Sequence, residues 1–208
     1  MTAAGKQALI LFVRRPERGK VKTRIAATAG NDAALAVYKS LLQHTQQCTY
    51  KLACTKHVFY ADAIAIGDLW QEGYSKHMQL NDTNLGTRMS AAFNVLFNKG
   101  YGQVCIIGSD CADLTQKHIE AAFDALAEYD VVLGPATDGG YYLLAMREKT
   151  QPLFEDIAWS TSAVLQHTIA LIKASSLSYK LLETLSDVDT WSDVPTHWKE
   201  ALQPPTGS

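Results

Sequence analysis

Short unbroken apolar runs alternate along this chain with segments of helical periodicity. Residues 8–13 (ALILFV), 104–107 (VCII), 131–133 (VVL) and 141–146 (YYLLAM) carry few or no polar positions, as strands buried on both faces should. Residues 57–61 (HVFYA) read as another strand, and 179–183 as an edge strand. Between them, residues 32–45 space Ala34, Val37, Tyr38, Leu41 and Leu42 on one helical face. Residues 85–97 do the same with Leu85, Met89, Ala92, Phe93 and Leu96. Thr115 is placed to cap a helix that faces inward through Ile119, Ala122, Phe123 and Leu126. Residues 160–173 predict a last amphipathic helix through Val164, Leu165, Thr168, Leu171 and Ile172.

Strand–helix alternation predicts an α/β fold with a largely parallel central sheet flanked by helices. Such sheets bind ligands outside the carboxyl ends of their strands. The loops after Val13, Ile107 and Leu133 are therefore the places to look for chemistry.

Composition narrows the picture. A length of 208 residues, 47% of them hydrophobic, suits a single domain over 1–208, with about 186–208 as an acidic motif and tail. Nineteen basic and 21 acidic side chains give a net charge of -2, which argues against a long nucleic-acid partner. The four cysteines show no zinc-type spacing and suit free thiols in a reducing compartment. The N-terminus is too polar for a signal peptide, and the first apolar run is too short for a membrane span. These features predict a cytoplasmic protein. They leave the oligomeric state open.

The loop after the first strand, RRPERGKVKTR (14–24), holds six basic residues and one acidic residue. Placed between a strand and a helix, it suits a phosphate group. It matches neither the P-loop nor the dinucleotide fingerprint, and a solvated basic loop is the plainer alternative. After the next buried strand, GSDCADL (108–114) puts Asp110 just past the strand end, where a carboxylate can bind a divalent cation. Gly108 would permit a sharp turn there, and Asp113 fits a turn residue at least as well as a ligand. GPATDGGYY (134–142) sets Asp138 before Gly139 and Gly140, which suit either a hairpin turn or close approach of a ligand. In SDVDTWSDV (186–194), Thr190 and Asp193 fit a capping box, and Pro195 limits or kinks any helix there. Asp187 and Asp189 lie just upstream. Sequence spacing does not say whether either meets Asp110.

Several of these segments carry a family resemblance. LILFVRRPERGKVKTRIAATAG, LGTRMSAAF, IIGSDCADLT, GPATDGGYYLLAM, FEDIAWST and DVDTWSDV follow, in order, blocks that resemble those of the bacterial DUF2064 proteins. The resemblance implies a Rossmann-like GT-A fold, that of the nucleotide-diphospho-sugar transferases, with a mixed, mostly parallel sheet. It also implies kinship with small nucleotidyltransferases such as guanylyltransferases. The basic loop of the family becomes Pro16, Gly19, Lys22, Thr23 and Arg24 here, with Arg14 keeping a positive charge where a lysine is common. The aspartate after the strand becomes Asp110, the DGGY block Asp138, Gly139, Gly140 and Tyr141, and the late acidic block Asp187 and Asp189. Ala112 replaces a frequent proline, and the D-x-D pair of the superfamily is only loosely matched by Asp110 and Asp113.

Two chemistries suit this set. In glycosyl transfer, a nucleotide-sugar diphosphate would lie against Lys22, Arg24 and a Mg²⁺ or Mn²⁺ ion held by Asp110, with Asp138 as base for a small-molecule acceptor. In nucleotidyl transfer, an NTP would occupy the same place, with Asp110 and Asp187 or Asp189 holding the metal. The resemblance favours the first; the basic loop and the DVDT block favour the second. A nucleotide-binding module without catalysis would not need Asp110, Asp138 and Asp189. Arg88 could reach a base or phosphate or pair on a helix face. Trp159, with Ser160 and Thr161, could line an acceptor pocket or act as a packing anchor. His118 and His167 read as surface residues.

Overall fold

A computed structural model of the protein describes residues 6–202. Seven strands form one sheet: β1 (Gln7–Val13), β2 (Thr55–Tyr60), β3 (Tyr74–Met78), β4 (Gln103–Ile107), β5 (Val131–Pro135), β6 (Tyr141–Met146) and β7 (Tyr179–Leu181). Their order is β3-β2-β1-β4-β6-β5-β7. β6 runs antiparallel to both its neighbours, and every other pairing is parallel. The fold class is therefore α/β with a mixed, mostly parallel sheet, as expected.

Alternation along β1 separates two cores. Leu9, Leu11 and Val13 pack with Ile25, Val37 and Leu41 of α1 (Thr23–Thr49) and with Ile119 and Ala122 of α3 (Gln116–Ala125). Ala8 and Ile10 point the other way, toward Met89, Phe93 and Leu96 of α2 (Leu85–Asn98) and Ile169 and Ile172 of α4 (Val164–Ala174). Both faces of the sheet are thus covered, which is why the central strands read as unbroken apolar runs.

Several elements depart from the sequence expectation. α1 starts at Thr23 and not at 32; its first part lies inside what reads as basic loop, and Gly30 (φ 86°) breaks the helical path. β3 was not foreseen: it is an edge strand of half-buried and exposed residues with no apolar run. α4 begins at Val164, since Ser160 has positive φ. A short α5 (Thr196–Leu202) follows Pro195, whose carbonyl accepts from the N–H of Trp198 at 2.9 Å. Proline is tolerated at a helix start, where its missing N–H is not needed. Among the described residues, no helix is long and apolar enough to cross a membrane.

Candidate functional site

The carboxyl ends of β1, β4 and β5 and the start of β6 open onto a cleft of about 1120 Å³. The basic loop enters it selectively. Arg15 and Lys20 pair with Glu17, and Arg18 pairs with Asp32 at 2.6 Å, so three of the six cations are already matched by neighbours. Arg14 is fixed by its backbone, whose N–H donates to the Tyr38 hydroxyl at 2.9 Å, while that hydroxyl donates to the Arg14 carbonyl. Burial pushes the Tyr38 phenol up to about 12, so it stays a neutral strut.

Lys22 is the centre of the site. It caps α1 in a left-handed conformation (φ 47°), which non-glycine residues seldom adopt. Its side chain is only 7% exposed, and its Nζ donates to Asp110 Oδ1 at 2.7 Å and to the Val188 carbonyl at 2.8 Å. Thr23 and Arg24 follow in the first turn of the helix and also line the cleft. The unpaired N–H groups of that turn favour an anion.

The late acidic segment closes onto the same point. Cys111 and Asp187 form an antiparallel bridge, and the Val188 N–H donates to the Asp110 carbonyl at 2.8 Å. This pairing brings Asp187 into the cleft with Asp110 and Asp138. Burial first, and then the charges of Asp110 and Asp138, push the Asp187 carboxyl up to about 6, with Lys22 opposing. Asp189 instead pairs with Arg24 at 2.5 Å. Among the described residues, no three His, Cys, Asp or Glu side chains form a metal cage. Asp110 and Asp187 both line the cleft, and each feels the charge of the other.

The remaining candidates divide. Asp138 is exposed on the cleft, and its Oδ1 accepts from the Gly140 N–H at 2.9 Å. The two glycines make the β5–β6 hairpin, with the Ala136 N–H donating to the Gly140 carbonyl. Gly139 does allow a close approach, but of the protein's own backbone: a Cβ there would lie 2.1 Å from the Ser162 carbonyl oxygen. Pro16 lines a second hollow of about 380 Å³ beside Tyr60 and Trp70, and Gly19 lies outside both. Gly108 keeps a negative φ with open space around it, so its turn does not demand glycine. Asp113 lies in the turn before α3 and outside the cleft. Thr190 and Asp193 form the expected capping box over a short 3₁₀ turn. His118 is not a free surface group: its Nδ1 accepts from the Thr115 N–H at 3.0 Å.

Arg88 lines the cleft with its Nη1 donating to Gln79 Oε1 at 2.7 Å and its buried Nε without a partner. Burial, and then the charge of Arg14, hold it below the usual guanidinium range. Gln79 was missed by sequence reasoning. It is buried just past β3, its Nε2 donating to the Phe59 carbonyl, and a strand without an apolar run left no signal for it. Trp159 and Tyr141 meet edge to face at 6.4 Å, and the indole lies against Gly86, where a Cβ would be 2.5 Å from its Nε1.

Comparisons with known proteins bear on the family and the fold. The "putative nucleotide-diphospho-sugar transferase" of Desulfovibrio desulfuricans G20 superposes with a TM-score of 0.83 at 32% identity, covering 89% of this chain and 83% of the other. The inositol-1-phosphate CTP transferase of T. maritima matches with a TM-score of 0.58 at 13% identity over 96% of each chain. Rv0371c of Mycobacterium tuberculosis H37Rv, solved in complex with manganese, gives 0.52 at 11% identity, over 92% of this chain and 96% of its own. The last two likenesses show the fold alone. No curated protein matches the sequence. The profile of DUF2064, described as an uncharacterized protein conserved in bacteria, matches residues 39–161. The chain therefore belongs to the DUF2064 family, and its fold is that of the nucleotide-diphospho-sugar transferases and nucleotidyltransferases.

Proposed function

We propose that the cleft is the active site of a transferase that moves a sugar from a nucleotide-diphospho-sugar to a hydroxyl of a small-molecule acceptor. The observation that carries this reading is the buried Lys22 ammonium at the start of α1, set against Asp110 with Asp187 beside it. A cation, a helix N-terminus and two adjacent carboxylates suit a diphosphate bridged by a divalent ion. The likeness to the D. desulfuricans protein at 32% identity supports the same class of donor.

In this reading Lys22, Arg24, Arg14 and the Thr23 N–H bind the diphosphate. Arg88, held by Gln79, presents its unpaired Nε to the nucleotide. The carboxylates fit Mg²⁺ or Mn²⁺: burial first, and then the charges of Asp110 and Asp138, raise the Asp187 carboxyl, a strain that a cation would relieve, and such ions take their other ligands from phosphate and water. Asp110 and Asp187 would hold the ion, with Asp189 in reserve beside Arg24. When bound, the ion supplies charge neutralisation for the leaving diphosphate. Asp138 accepts the acceptor's proton as its oxygen bonds to the anomeric carbon. The anomeric carbon–oxygen bond breaks, and the nucleoside diphosphate leaves with the electron pair. Lys22 and the first turn of α1 stabilise that charge as it forms. The free thiols at Cys48, Cys54, Cys105 and Cys111 suit the cytoplasm, where we place the enzyme.

Nucleotidyl transfer is the second reading, favoured by the Asp110–Asp187 pair, because an ionised phosphate nucleophile needs no base. A thermal-shift panel of NTPs against UDP-, GDP- and ADP-sugars, with Mg²⁺ or Mn²⁺, separates the two. Stabilisation by a nucleotide-sugar is expected. Stabilisation by an NTP alone would overturn glycosyl transfer, and ³¹P NMR would then identify diphosphate as the product.

A further inference from the structure

The cleft extends past the strand ends onto the sheet face covered by α2 and α4. Its wall there is Leu85, Met89, Ile106, Leu144 and Val164, with Tyr141 and Trp159 beside them. Three buried side-chain polar atoms among the described residues have no hydrogen-bond partner: Trp159 Nε1, the Tyr141 hydroxyl and Arg88 Nε. All three side chains line this one cleft; Arg88 serves the nucleotide in the reading above, which leaves Trp159 and Tyr141 at this end. Thr168 donates its hydroxyl to the Val164 carbonyl at 2.9 Å and lies beside the Tyr141 hydroxyl, close enough to pair with it, so Trp159 Nε1 is the donor at this end with no protein partner at hand. Folded proteins seldom leave buried donors unpaired, and a cluster of them on a cleft wall points to a ligand that completes them.

Charge separates the two ends of the cleft. Its cations are Arg14, Lys20, Lys22 and Arg24 from one loop, and Arg88, which is tied to Gln79. Residues 138–146 and 159–164 contain no lysine or arginine. A phosphorylated acceptor lying against Tyr141 and Trp159 would have to share Arg88, which is tied to Gln79 and serves the nucleotide in the reading above. The tryptophan N–H donates only, so the group facing it must be an oxygen or nitrogen acceptor.

We propose that the Tyr141–Trp159 end is the acceptor subsite and takes a neutral alcohol with an apolar body that also presents an ether or carbonyl oxygen. The assignment rests on the transferase reading above. The apolar body lies against Trp159, Leu144 and Val164. The hydroxyl is turned to Asp138, three residues before Tyr141 in the same hairpin.

Saturation-transfer NMR on the whole protein tests this with three probes. They are 4-methoxybenzyl alcohol, phenyl phosphate and glycerol. Only the methoxybenzyl alcohol is expected to bind in a manner dependent on Trp159 and Tyr141. Tyr141→Phe keeps the ring and loses the hydroxyl donor; Trp159→Phe loses the indole donor together with part of the ring packed against Gly86, so its melting temperature is measured alongside. Each should weaken the alcohol about three- to tenfold, the effect of one hydrogen bond. Equal affinity in both variants, or phenyl phosphate binding with the same dependence, would overturn the proposal. Nucleotide-sugar thermal shifts on the same preparation report the transferase reading separately. Alcohol binding without any nucleotide shift would overturn that reading while supporting the alcohol site. A nucleotide shift without alcohol binding would overturn the subsite alone.

Discussion

Lys22 Nζ lies 2.7 Å from Asp110 Oδ1, joining the first residue before α1 to the loop after β4 across 88 positions of sequence. The lysine end is buried and the aspartate is half exposed, 7% against 51% for the side chains. The same ammonium also holds the Val188 carbonyl, so one group ties three loops together.

Lys22→Met should therefore affect both stability and binding. It leaves Asp110 and Asp187 without their nearest cation and orphans a carbonyl. A loss of about 1–3 kcal/mol is expected, below the full penalty of a buried pair because Asp110 reaches solvent. Urea denaturation measures the first effect, and calorimetry with a nucleotide-sugar the second, where binding should be lost.

Asp110→Ala leaves the buried Lys22 ammonium with the Val188 carbonyl alone, so it should lose stability on the same scale as Lys22→Met, about 1–3 kcal/mol, while remaining folded. Metal-dependent nucleotide binding by calorimetry should disappear; unchanged binding in this variant would remove Asp110 from the metal set.

Asp187→Asn should gain stability above pH 6. The carboxyl titrates near 6 in the folded chain against an ordinary 3.8, so the folded state holds the proton more tightly. This group's contribution to wild-type stability then falls as pH rises from about 4 to 6, and the full penalty, roughly 3 kcal/mol, remains above that. The asparagine variant lacks the charge, so the difference in thermal stability between the two proteins should widen across this window. A parallel slope in both proteins would contradict the assignment.

Gly139→Ala and Gly108→Ala should differ sharply. At 139 the backbone has φ 89° and the new Cβ would strike the Ser162 carbonyl oxygen at 2.1 Å, parting the hairpin from the segment before α4. A loss of about 3 kcal/mol or more follows from strain and overlap together. At 108 the added methyl meets nothing within 4 Å, and stability should be unchanged. Melting curves of the two variants decide it.

The sequence by itself determined the layers. Buried strands such as β1 and β4 must be continuous in apolar residues because helices cover both faces, and that requirement is written locally. It also determined which loops meet at the cleft, since residues 14–24 and Asp110 follow strand ends directly. Edge strand β3, lacking that burial, left no such mark, and Gln79 behind it went unseen. The sense of β6 and the meeting of Asp187 with Lys22 were decided only by tertiary structure. They depend on hydrogen bonds between segments far apart, such as the Val188 N–H to the Asp110 carbonyl, and no local pattern encodes those. The same holds for the basic loop: its six cations look alike in sequence. Glu17 and Asp32 neutralise three of them, and the fold turns Lys22 inward, so it is burial and pairing that choose the one at the centre of the site.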